Sequence, residues 1–226
     1  MSRTSKRTDS HVFAVKDCAL ITIATGKKAV GLRELREIIS ETHLDCIYHH
    51  FWGGMLGPRF EEREFSNDFA AWARHGLHDK ILSERLAMLD PTRHAGLEEL
   101  RGELLDLIET RLDESEALHW VIASRPFEFL RSQIVIFDTG RRLSRPEELA
   151  RLLPDLSVSS LFYHFVDARR RLRAGTNDFS RWLASFGGPC ERLGRELDEI
   201  EPYFCSLTDL RRQIAGTLAT SFGESD

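Results

Sequence analysis

Apolar and polar positions alternate along this chain in one pattern that is run through twice. A short apolar stretch, Ala19 to Ala24, ends at Thr25-Gly26, and a second, Ile134 to Phe137, ends near Thr139-Gly140. Each predicts a short strand closed by a turn. Helical spacing follows in Leu32, Leu35, Ile38 and Ile39, and again in Leu149, Leu152 and Leu153, with Pro146 where a first helical turn tolerates it. A second helix carries a His-Phe pair, and a third opens at Asn-Asp-Phe. A fourth covers Ile81 to Leu89 or Leu193 to Ile200, stopped by Pro91 or Pro202. The last helix of each run is amphipathic, striped by Leu97, Leu100, Leu104, Leu107 and Ile108, and by Leu207, Leu210, Ile214 and Leu218.

The two runs align residue by residue. A displacement of 114 positions brings Phe13 onto Phe127, Thr25-Gly26-Lys27-Lys28 onto Thr139-Gly140-Arg141-Arg142, and Glu34-Leu35 onto Glu148-Leu149. It also brings Ile47 to Phe51 onto Leu161 to Phe165. After a four-residue shortening, Ser66-Asn67-Asp68-Phe69 falls on Thr176-Asn177-Asp178-Phe179 and Trp72 on Trp182. A single match arises by chance, but a full series in one order does not. The expected fold class is therefore mainly α (α+β): a tandem pseudo-twofold repeat of a short strand followed by four to five helices. The units are residues 13–112 and 127–222, and they are expected to pack as one body. The connecting segment Asp113 to Arg125 lacks the Pro, Gly and Ser content of a flexible linker, and isolated short strands need each other to be stable.

Composition narrows the class of function. With 226 residues, 42% hydrophobic and 30% charged, the chain is globular. A net charge of −5 gives no broad basic surface, so no nucleic-acid partner is expected. No apolar run reaches the length of a membrane span, and the polar start Met1 to Ser10 lacks a signal-peptide core, so a cytoplasmic protein is expected. The tail Gly223 to Asp226 reads as a frayed polar end. Cys18, Cys46, Cys190 and Cys205 form no Cys-x-x-Cys pair and read as reduced thiols.

Candidate chemistry concentrates in a few polar groups. Asn67, Asp68, Asn177 and Asp178 suit helix capping and the helix dipole, and are also candidate ligand-binding residues. His50 and His164 sit between aromatic residues, where a buried ring donating to a main-chain carbonyl is the structural expectation. His50 with Asp68 is the candidate catalytic pair. His75, His78 and Asp79, with Glu84 a turn later, share a face only if one helix runs through Gly76, and no His-Glu-x-x-His pattern is present. No metal or other cofactor is expected, these three being the weak candidates for one.

The copies diverge between the His-Phe and Asn-Asp-Phe motifs. The first has an apolar loop, Trp52 to Pro58, followed by Glu61-Glu62-Arg63-Glu64, and the second has the basic run Arg169-Arg170-Arg171-Leu172-Arg173. Solvated charged faces account for both. An anion-binding rim at Arg170 and Arg171, or an acidic-to-basic contact between subunits of a homo-oligomer, are the functional readings. The Gly-rich loop reads as a lid or contact surface. The two Thr-Gly turns with paired cations lack the spacing of a P-loop or a dinucleotide site.

The order Thr-Gly, Glu-Leu, His-Phe, Asn-Asp-Phe-x-x-Trp and a terminal Leu-x-x-Leu helix resembles an uncharacterised prokaryotic family of unknown function, over about residues 13–220. The resemblance implies no activity. Two functions fit these residues. The first is a non-enzymatic binding or regulatory protein acting on a protein partner or a small-molecule ligand. The second is an enzyme using a His/Asp site of the first repeat on a small polar or phosphorylated substrate.

Overall fold

The protein, studied as a computed structural model, is described over residues 11–57, 64–172 and 175–223. Two long strands, β1 over Phe13–Ala29 and β2 over Phe127–Leu143, pair antiparallel in one sheet. After β1 come the helices α1 (Leu32–Glu41), α2 (Leu44–Trp52), α3 (Asp68–His75), α4 (Lys80–Ala87) and α5 (Leu97–Asp113). After β2 come α6 (Pro146–Leu152), α7 (Val158–Leu161), a π-helical turn at Phe162–Asp167, α8 (Ala168–Arg171), α9 (Asp178–Ala184), α10 (Gly188–Asp198) and α11 (Leu207–Gly223). The class is α+β. Among the described residues, no helix is long and apolar enough to cross a membrane.

The strands depart from the sequence expectation. Each runs 17 residues, and neither ends at Thr-Gly. Gly26 and Gly140 adopt φ of +77° and +75°, a left-handed conformation that only glycine takes without strain. The threonine before each glycine holds the strand together across that point, in the manner of a glycine bulge. Thr25 Oγ1 donates to the Phe129 carbonyl at 2.6 Å and accepts from the Lys27 amide at 3.2 Å. Thr139 Oγ1 does the same with the Val15 carbonyl, at 2.6 Å, and the Arg141 amide, at 3.2 Å. What reads as a turn in the sequence is a bulge in a continuing strand.

The chain divides into two compact units, one of Leu20–Ile134 and one of Met1–Ala19 with Val135–Asp226. Each unit takes one end of each strand. In the Leu20–Ile134 unit, α1 to α5 surround the buried positions Phe127, Phe129 and Ser132 at the start of β2. In the other unit, α6 to α11 surround Phe13, Val15 and Cys18 at the start of β1. Each helix set is thus served by the strand end that leads, in sequence, into the other set. The middle of each strand is largely solvent-facing, with Ile21, Ile136 and Phe137 about half exposed.

Local chemistry explains the helices. Glu34, at the third position of α1, accepts from the Val30 amide at 2.7 Å, and Glu148, at the same place in α6, accepts from the Ser144 amide at 2.8 Å. Each satisfies a free donor at a helix start, while the leucine beside it, Leu35 or Leu149, enters the core. The helix bearing the His-Phe pair is buried all round and lies in the middle of its unit: Cys46 to Trp52 and Ser160 to Ala168 are buried without interruption. Leu100, Leu104, Ile108 and Leu112 line the inner face of α5; Leu207, Leu210, Ile214 and Leu218 line that of α11.

Phe127 and Phe13 are the hubs of the two cores. The Phe127 ring stacks on Phe69 at 5.0 Å and meets Trp72 at 5.7 Å and the His50 ring at 4.6 Å. The Phe13 ring meets Phe179 at 5.5 Å, Trp182 at 5.3 Å and the His164 ring at 4.8 Å. The indole N–H groups close the arrangement, Trp72 donating to the Arg125 carbonyl at 2.8 Å and Trp182 to the His11 carbonyl at 2.7 Å. Truncating a buried strand aromatic, Phe129→Ala, is expected to cost about 3–5 kcal/mol in a urea unfolding titration. Phe137→Ser, in the exposed stretch, is expected to stay within about 0.5 kcal/mol. Equal losses would show that the buried strand ends are not the anchors.

Candidate functional site

The polar groups singled out by the sequence converge where a buried strand end crosses the central helix. In the Leu20–Ile134 unit, the His50 ring lies on α2 with its side chain 2% exposed, and Asp68 opens α3. His50 Nδ1 and Asp68 Oδ2 are 3.0 Å apart, and the Leu130 main-chain amide of β2 donates to His50 Nε2 at 3.2 Å. An amide N–H can donate only to an unprotonated nitrogen, so the ring proton sits on Nδ1 and is given to Asp68. The expected bond to a main-chain carbonyl is replaced by one accepted from a main-chain amide.

The other unit builds the same device. His164 Nδ1 donates to Asp178 Oδ2 at 2.9 Å, and the Lys16 amide of β1 donates to His164 Nε2 at 2.8 Å. Burial pushes the His164 ring below the ordinary histidine pKa, and its Asp178 partner offsets this only in part, so the ring is held neutral. For Asp178, burial acts to raise the pKa, but hydrogen bonds from His164 and Arg171 outweigh it and hold the carboxyl below the usual range.

The asparagines cap. Asn67 Oδ1 accepts from the Ala70 amide at 2.9 Å and its Nδ2 donates to the Leu86 carbonyl at 2.9 Å. Asn177 Oδ1 accepts from the Ser180 amide at 2.9 Å, and its Nδ2 donates to Asp198 Oδ1 at 2.8 Å. Both asparagines are buried.

His75, His78 and Asp79 are not brought together. Helix α3 stops at His75 and α4 begins at Lys80, with His78 between them at φ 60°. His75 faces Glu64 at 2.8 Å, while Asp79 caps α4 through the Leu82 amide at 3.0 Å and receives Arg111 Nε at 2.8 Å. Glu84 pairs with Lys80 at 3.7 Å. Among the described residues, the three-donor group whose ligand atoms lie within 4.8 Å of one another is His49, His50 and Asp68. His49 Nδ1 is also 2.7 Å from Ser132 Oγ, and no sequence motif marks the trio.

The basic run is drawn inward. Arg171 Nε donates to Asp167 Oδ2 at 2.7 Å, and its Nη2 donates to Asp178 Oδ2 and to the Tyr163 carbonyl, both at 2.9 Å. The Arg171 guanidinium also lies 4.1 Å from the centre of the Tyr163 ring. Arg170 Nη2 donates to Asp167 Oδ1 at 3.0 Å, and Arg169 Nη2 caps the Asp198 and Ile200 carbonyls at 3.0 and 2.7 Å. Asp167, fully buried, is the partner that the sequence reading missed. Its place on the π-helical turn, one turn before the arginines, is the signal that could have found it. Arg173 and the acidic stretch Glu61-Glu62-Arg63, like Pro58 at the loop end, lie outside the described residues. So do Met1 to Ser10 and Glu224 to Asp226. Of the apolar loop, Gly53–Met55 forms a 3-10 turn with Met55 buried.

A cavity of about 520 Å³ opens beside His164 and Asp178, with Lys16, Tyr163, Arg171, Arg181 and Trp182 in its wall. The four cysteines are free thiols. Cys18, at the end of the buried part of β1, donates to the Ser159 carbonyl at 3.3 Å, and burial, with Asp167 and Asp17 nearby, pushes its thiol up to about 12. It is a packing residue and not a nucleophile at neutral pH.

Both His164 and Asp178 have folded pKa values below their unfolded ones. Each therefore contributes stability that is complete above its unfolded pKa and is lost as pH falls through its folded pKa. For His164 the loss begins below about pH 6.5. For Asp178 it comes lower, below the free-carboxylate pKa of about 3.9. The melting temperature is expected to fall between pH 7 and pH 5, and His164→Asn is expected to melt lower but with a shallower slope in that window. An unchanged slope would exclude His164 as the source.

No curated protein matches the chain. The solved structure of OrfY from Thermoproteus tenax is similar to it, with 27% sequence identity, 95% of this chain and 97% of that chain covered, and a TM-score of 0.80. Residues 10–219 match the family of unknown function DUF5752, and the chain belongs to that family.

Proposed function

We propose that this chain is a non-enzymatic binding or regulatory protein of the cytoplasm, formed from two copies of one unit, residues 13–112 and 127–222. It acts on a small-molecule ligand or a protein partner, without nucleic acid or membrane. The observation that carries this reading is the double occupancy of the His50 and His164 rings. A histidine serving as general base needs a lone pair facing a reacting group. In a serine-type triad the carboxylate holds Nδ1 and leaves Nε2 for the nucleophile. Here the carboxylate holds Nδ1, and Nε2 is spent on a main-chain amide of the neighbouring strand. Each ring fastens a strand to a helix start, and the divergent surfaces around it are left for recognition.

A second reading is favoured by the His49, His50 and Asp68 trio, whose donor atoms lie close enough to share a cation. In that case the first repeat is an enzyme acting on a small polar or phosphorylated substrate. The two are separated by metal content and stability together. On the binding reading, Asp68→Ala and Asp178→Ala each lower unfolding stability by about 1.5–3 kcal/mol, the range for a hydrogen bond to a charged group. The purified protein then carries no stoichiometric metal by elemental analysis. Stoichiometric metal that Asp68→Ala loses at unchanged stability would overturn the binding reading.

A further inference from the structure

We propose that the cavity beside His164 is a binding site for a small organic anion: a compact, multiply charged head such as a phosphate monoester, carrying a short apolar or aromatic part. This rests on reading the chain as a binding protein and names the class of its ligand.

The argument starts from charge. The chain is net negative, −5 over 226 residues, yet the wall of this cavity holds Lys16, Arg171 and Arg181 against the single carboxylate of Asp178. The His164 ring adds no charge, because burial holds it neutral. Arg171 is fixed in place by Asp167 and Asp178. Lys16 and Arg181 are different: among the described residues, neither side chain makes a hydrogen bond or close ion pair, Lys16 having only the longer-range attraction of Asp138. Two uncommitted cations and a third immobilised one, facing a volume of about 520 Å³, suit an anion of metabolite size. The remainder of the wall is mostly apolar or aromatic, with Val12, Phe13 and Trp182, and Ser185 adds one hydroxyl. It gives a ring or short chain a surface to lie on.

The other copy of the unit serves as a control. Lys16 corresponds to Leu130, since both donate their main-chain amide to the central histidine. Arg181 aligns with Ala71, and Arg171, in the stretch where the copies differ in length, falls opposite Gly57 on the displacement that matches the central helices. The Leu20–Ile134 unit has no cation at Leu130, Gly57 or Ala71, although its His–Asp pair, phenylalanine hub and tryptophan are kept. The shared fold therefore does not require the cations. The central helix also differs: it makes a π-helical turn at Phe162–Asp167, whereas the matching stretch of α2 is plain α-helix. Such turns are rare and frequently lie at functional sites.

The test is isothermal titration of the full chain with inorganic phosphate and with phenyl phosphate, at low and high salt. The variants Arg181→Ala and Lys16→Leu each install the residue of the other copy, and neither removes a side-chain bond. Saturable one-to-one binding of phenyl phosphate is expected, weaker for phosphate alone and weaker in high salt. Each variant should lose about tenfold in affinity while melting close to the parent. Binding of phosphate as tight as that of phenyl phosphate would overturn the assignment of an organic ligand. No saturable binding of either, or equal affinity in the double variant, would overturn the anion site. If benzyl alcohol binds as tightly as phenyl phosphate and the double variant weakens neither, the anion class fails while the binding-protein reading stands. Stoichiometric metal at Asp68 would strike that reading alone.

Discussion

A buried imidazole must find a partner for each of its two nitrogens, and most of this architecture follows from how that demand is met. An unpaired polar nitrogen in an apolar surrounding costs on the order of 1–3 kcal/mol. His50 and His164 are walled in by phenylalanine, with side chains only 2% and 3% exposed, so their nitrogens are matched by protein groups. The carboxylate that opens the next helix accepts the hydrogen bond from Nδ1–H, and a strand amide donates to Nε2. One ring thereby fixes three things: the central helix that carries it, the start of the following helix, and the register of the strand. Had either partner been a flexible side chain, the strand end would have been free to slide by a residue and turn its phenylalanines outward.

That dependence explains what could be read in the sequence and what could not. The helices were legible because their signals are local: leucines at helical spacing, a glutamate at the third position, an asparagine at the cap, a proline at the stop. The pairing of His50 with Asp68 was accessible as a candidate because both residues recur in the second copy. The strands were misread in length. Their buried positions, Phe13, Val15 and Cys18 in one and Phe127, Phe129 and Ser132 in the other, lie outside the apolar middles that the sequence marks as strands, and those middles, with Ile21, Ile136 and Phe137, face solvent instead. A Thr-Gly pair is also the same dipeptide whether it makes a turn or a bulge, and the long-range bonds from Thr25 to Phe129 and from Thr139 to Val15 decide which. No local pattern contains that information.

The arginine run teaches a related lesson about charge. Read along the chain, four arginines in five positions suggest a positive rim. In the folded protein Asp167 is buried beneath Arg170 and Arg171 and uses them as counter-ions, and Arg169 caps carbonyls at the end of α10. Burying a carboxylate is costly unless its oxygens are filled by charged donors, so these arginines are first of all the condition for Asp167 being where it is. The uncommitted positive charge beside the cavity comes instead from Lys16 and Arg181, 165 positions apart in sequence. Neither stands out from its neighbours until the strand end and α9 are brought to one place.

Lys16 joins the two themes. Its main chain completes the His164 ring, and its side chain lines the cavity. Asp178 likewise accepts from His164 within the core and from Arg171 at the cavity wall. A ligand held by these cations therefore bears on the same two residues that dock β1, and its binding free energy adds to the docking of that strand by mass action. In the Leu20–Ile134 unit the corresponding strand residue, Leu130, offers the main-chain bond without a charged side chain, and there docking has no such link. The two units thus share one fastening device with two fates. In one unit it only holds the fold, and in the other the residues that hold the fold also face the cavity.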